Sequence, residues 1–65
     1  MEMRLATALL QHLGYTTDYE LETGWIYVAY KTNHLCELYV NDGLVILADV
    51  LPLISVVVLR EPLTH

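Results

Sequence analysis

The spacing of apolar and polar positions divides the chain into a helical segment followed by an alternating one. In residues 1–13, Leu5, Ala6, Leu9, Leu10 and Leu13 recur at helical spacing and form one stripe. Arg4, Thr7, Gln11 and His12 fall on the opposite side, and Gly14 follows where a C-cap glycine belongs. A helix of about three turns does not persist alone in water, so the leucine stripe must lie on a sheet.

From residue 15 the period becomes two. Residues 15–22 place Asp18, Glu20 and Glu22 on one side and Thr17, Tyr19 and Leu21 on the other, which predicts a strand. Thr23-Gly24 is a hairpin turn. Residues 25–30, rich in aromatic and β-branched side chains, are a second strand. Lys31-Thr32-Asn33-His34 makes the next turn, and the third strand runs from His34 or Leu35 to Val40. Asn41-Asp42-Gly43 is the strongest turn signal, because Asp-Gly tolerates the positive φ of a type I′ hairpin. Residues 44–48 form a fourth strand, Pro52 breaks the run, and residues 54–60 form a fifth. The tail, residues 61–65, is expected to fray. The predicted fold is a single α+β domain: one N-terminal helix packed on an antiparallel β-meander of four to five strands.

Even-length turns then sort the meander into two faces. One carries Thr17, Tyr19, Leu21, Ile26, Val28, Tyr30, Leu35, Glu37, Tyr39, Leu44, Ile46 and Ala48. This face takes the helix, with Glu37 its one misfit, expected at the sheet margin with its carboxylate in water. The other carries Asp18, Glu20, Glu22, Trp25, Tyr27, Ala29, Cys36, Leu38, Val40, Val45, Leu47 and Asp49. Its middle is apolar and no second helix is foreseen to cover it, so a partner surface is expected there. A single bulge exchanges the faces beyond it.

Size and composition strengthen that expectation. Sixty-five residues with one cysteine, Cys36, admit neither an intrachain disulfide nor a four-cysteine zinc site. Hydrophobic residues make up 55% and charged residues only 17%, more apolar surface than so small a domain hides well. Self-association is the remaining common source of stability, so a two-fold homodimer through the sheet is expected. The net charge is −5, against the scattered cations Arg4, Lys31 and Arg60. Direct nucleic-acid binding is not expected, whereas a basic protein surface is a natural partner.

No secretory signal is read in the N-terminal run. The apolar run 44–59 is shorter than the ~20 residues a membrane helix needs and is interrupted by Asp49 and Pro52. No membrane contact is expected, and the lone thiol fits a reducing, cytoplasmic compartment (the host cytoplasm for a viral protein).

The chemistry-bearing residues are few. His34-x-Cys36 shares a strand face and Asp49 lies opposite in the hairpin, but one cysteine and one nearby histidine fall short of a zinc ligand set. Buried lone cysteines are usually core. Gly14, Gly24 and Gly43 are isolated turn residues, and Ser55 is the only serine. No catalytic residue, metal or cofactor is therefore assigned. The expected function is a small acidic non-enzymatic protein acting through protein–protein contacts. Trp25, Tyr27, Leu38, Val40, Val45 and Leu47 are its contact residues, and Asp18, Glu20 and Glu22 its acidic edge. Phage and mobile-element inhibitors of nucleic-acid-binding machines are one such class, by fold-level association alone. The alternatives are a structural subunit or adaptor of a larger assembly, and a small metal-binding protein or hydrolase using His34, Cys36, Glu37 or Asp49.

Overall fold

A computed structural model describes the backbone of residues 1–60 and the side chains of residues 1–55. Helix α1 is Met3–His12. It is followed by strands β1 (Tyr15–Glu20), β2 (Trp25–Tyr30), β3 (Asn33–Asn41) and β4 (Leu44–Val45), then helix α2 (Leu47–Arg60). The strands form an antiparallel meander in the order β1-β2-β3-β4, with both helices on one face. The expected α+β architecture of an N-terminal helix on a four-stranded meander holds, with a C-terminal helix added.

The stripe of α1 is centred on Ala6 and Leu10, both fully buried, with Leu9 and Leu13 half-buried. Leu5, expected in the stripe, is 59% exposed, because it sits about 100° around the helix from Ala6. No side chain caps the helix start. Instead the amide of Met3 donates to the Gly43 carbonyl at 2.8 Å. Residues 1–3 thereby flank β4. The Met1 amine donates to the Val45 carbonyl at 2.9 Å, and the Val45 amide returns a bond to the Met1 carbonyl at 2.7 Å. The Asp42-Gly43 turn has positive φ at both positions (53° and 75°), as a type I′ hairpin requires.

Three expectations are corrected. First, β1 ends at Glu20, and the β1–β2 connection spans four residues instead of two, closed by the Gly24 amide on the Glu20 carbonyl. The loop length stays even, so the faces of β1 and β2 are as expected: Ile26 and Val28 are buried, and Asp18, Glu20, Trp25 and Tyr27 lie on the other side.

Second, the faces are exchanged beyond β2. Ala29 pairs with His34 but Val28 pairs with Cys36, so Leu35 has no partner and forms a bulge. Leu38, Val40 and Val45 therefore point into the core, while Leu35, Glu37, Tyr39, Leu44 and Ile46 are exposed. The physical cause is the alternative register. Without the bulge, Glu37 would be buried and Leu38 and Val40 expelled, and an unpaired buried carboxylate is far costlier than one unpaired strand residue.

Third, the fourth strand is two residues long, and the segment expected as a fifth strand is part of α2. Val50, Leu53 and Ile54 follow helical spacing. Val50 is fully buried, the other two pack against the core, and Pro52 sits inside the helix instead of ending it. Cover for the inner sheet face outweighs the strand propensity of valine and isoleucine. The tail, residues 61–65, lies outside the described residues.

The core is Ala6, Leu10, Tyr15, Ile26, Val28, Leu38, Val40, Val45 and Val50. Tyr15 is its one member with a polar tip, and its hydroxyl donates to the Leu53 carbonyl at 2.9 Å. Among the described residues, no helix is long and apolar enough to cross a membrane.

Candidate functional site: the outer sheet face and a groove beside it

Both helices lie on one side of the sheet, so the other side is uncovered among the described residues. The β1–β2–β3 register places Asp18, Glu20, Trp25, Tyr27, Glu37 and Tyr39 there. Tyr39 stands opposite Trp25, and the rings meet edge to face with centroids 5.3 Å apart. Tyr27 lies between Asp18 and Glu37 across the strands, and its hydroxyl donates to Glu20 Oε2 at 3.2 Å. His34 tilts against the Tyr27 ring (centroids 6.5 Å apart), and its Nε2 lies 3.3 Å from Glu37 Oε1. Both partners of that contact are exposed, so it contributes little to stability. The face is an aromatic row set among three carboxylates.

The structure divides the expected contact residues. Trp25 and Tyr27 stay on the uncovered face, with Asp18 and Glu20 beside them, and Glu22 lies in the β1–β2 loop. Leu38, Val40 and Val45 are buried by the protein's own helices, and Leu47 is half-exposed on α2. The expected apolar patch is thus internal. Tyr39 and Glu37, assigned to the covered face from sequence, complete the outer one. The signal that pointed to them was Glu37 itself, a carboxylate in a row otherwise meant to be buried.

The Cys36, His34 and Asp49 set is also divided. His34 turns to Glu37, whereas Cys36 and Asp49 both line a groove of about 750 Å³ between β3 and α2. No group of three metal-ligating side chains exists among the described residues. Burial pushes the Cys36 thiol above its ordinary pKa, and the negative charges of Glu37 and Asp49 push it further. Nucleophilic cysteines need the opposite direction. At neutral pH, Cys36 should therefore alkylate with iodoacetamide more slowly in the native protein than in urea, with its rate-versus-pH curve displaced upward. A native rate equal to the denatured one contradicts the placement of the thiol against α2.

No protein-family model, curated protein or solved structure matches the chain.

Proposed function

We propose that the protein is a non-enzymatic contact module whose outer sheet face binds a basic surface of another protein. The observation that carries this reading is the composition of the uncovered face. Trp25, Tyr27 and Tyr39 supply rigid aromatic area, the kind of side chain that anchors interfaces. Asp18, Glu20 and Glu37 surround them, and a lysine or arginine docked there meets both carboxylates and aromatic ring faces. The net charge of −5 steers the same class of partner. A nucleic-acid-binding machine presents a basic surface of the required sign, so an inhibitor of one fits this reading. A subunit or adaptor role fits it equally. The lone thiol agrees with a cytoplasmic setting.

Self-association has its own support, at a different place from the sheet interior. Leu44, Ile46, Leu47 and Leu51 are all exposed, and Leu47 and Leu51 lie one turn apart on α2. A second copy fits this apolar ridge better than it fits the acidic face, where like charges would meet.

Affinity capture from the source cell, with mass spectrometry, tests both readings. The baits are the native protein, a charge-reversed outer face (Asp18→Lys, Glu20→Lys, Glu37→Lys) and a ridge variant (Leu47→Lys, Leu51→Lys). Each must first be shown to melt as the native protein does. A basic partner should be kept by the ridge variant, lost by the outer-face variant, and released by salt. The same partners on all three baits would remove the outer face from consideration. A copy of the chain itself, lost only with the ridge variant, would assign self-association to the ridge.

A further inference from the structure

The groove between β3 and α2 adds a second surface. Residues 35–38 of β3 form one wall and Ala48, Asp49, Pro52 and Leu53 of α2 the other, with Tyr15 and Tyr30 also lining it. The β3 wall is a strand edge with open hydrogen-bonding groups. β4 pairs only with Val40 and Asn41. The Val40 amide donates to Gly24, on the β2 side. Backbone groups alternate in direction along an antiparallel strand, so Cys36 and Leu38 also turn toward β2. Glu37 then presents its N–H and C=O groups, and Tyr39 its N–H, to the edge beyond the β4 pairing. Unpaired edge groups beside an apolar groove are a template for an added strand.

We infer that this edge and groove take an extended segment of a partner protein, paired with β3 at Glu37 and Tyr39, with apolar side chains alternating into the groove and basic ones outside it. The charge of the site selects the occupant. Among the described residues Glu37 and Asp49 are the charged groups of the lining; Lys31 is outside it, its Nζ 5.8 Å from the centroid of the Tyr30 ring. A second copy of this chain is disfavoured as occupant. Its β3 would bring Glu37 against Glu37, and its β1 would bring Asp18 and Glu20. The inference rests on the contact-module reading but uses the backbone edge of β3 at Glu37 and Tyr39 and the groove, instead of the outward-facing rings of the aromatic row.

The test is an NMR titration of the ¹⁵N-labelled full chain with a synthetic peptide of about eight residues alternating valine and lysine. The amides of Glu37 and Tyr39 should shift and exchange more slowly with water. N-methylation of alternate peptide amides should weaken binding by about tenfold or more, and glutamate in place of lysine should weaken it as well. Glu37→Pro removes an edge donor while leaving the bonds of Cys36 and Leu38 to β2, so it should abolish binding in a folded protein. Glu37→Gln should weaken it only in part. No shift at Glu37 and Tyr39 up to about 1 mM peptide overturns the inference. Shifts confined to the Trp25 indole and Tyr27 overturn it while leaving the outer-face reading intact. Absence of both sets of shifts counts against both surfaces. A native dimer that Glu37→Pro dissociates assigns the edge to a second copy, and so overturns the proposed occupant.

Discussion

Leu38→Ala is expected to lower the stability of this protein by about 2–5 kcal/mol. Leu38 is 1% exposed and stands opposite Ile26 at the centre of the sheet's inner face, in the core that also holds Leu10, Val28 and Val50. Truncation there removes buried methyl groups and leaves a cavity that helices on one side and a sheet on the other close only partly. A domain of 65 residues has on the order of 3–10 kcal/mol to lose. The melting temperature should therefore fall by roughly 10 °C or more, followed by circular dichroism with a urea titration alongside. The neighbouring Tyr39→Ala is the control. Tyr39 is 48% exposed on the other side of the same strand and packs mainly against Trp25. Its loss should cost about 1 kcal/mol. The contrast tests the register directly, since an unbulged strand interchanges the two residues. A larger loss from Tyr39→Ala than from Leu38→Ala rules out the bulge at Leu35.

What could be read from the sequence follows from which signals were local. The α1 stripe apart from Leu5, the Asp42-Gly43 turn and the faces of β1 and β2 each depend on spacing within one or two elements, and each is recovered in the structure. Most of the outer face, Asp18, Glu20, Trp25 and Tyr27, was legible for the same reason. Glu37 and Tyr39 required knowing that Leu35 is unpaired. No residue type marks a bulge there, and its only trace is that Glu37 falls among side chains meant to be buried. One unpaired residue therefore moved Leu38, Val40 and Val45 from an imagined interface into the core. The C-terminal segment failed for another reason. From Leu44 to Leu59 the chain is almost uniformly apolar, so neither period stands out, and β-branched content decided wrongly in favour of strand. The helical spacing of Val50, Leu53 and Ile54 becomes visible only beside an inner sheet face that needs more cover than α1 provides.

The placement of α2 leads to the other large expected effect, which has the opposite sign. Pro52→Ala should stabilise the protein by about 2 kcal/mol. Pro52 is the sixth residue of α2, well past the first turn in which proline is tolerated. There it lacks the N–H that bonds the Ala48 carbonyl, and its ring crowds that carbonyl, together costing about 3 kcal/mol in a helix interior. Alanine restores the bond and has the best helix propensity. Against this, proline restricts the unfolded chain, and removing it gives back about 0.4–1 kcal/mol. The net gain should raise the melting temperature by roughly 10 °C and increase the helical circular dichroism signal. Were this segment two strands joined at Pro52, the helical terms would vanish and only the unfolded-state term would remain, so the melting temperature would fall slightly. A fall therefore rejects the helix at this position. A rise supports it and gives the Ala48 carbonyl an internal partner.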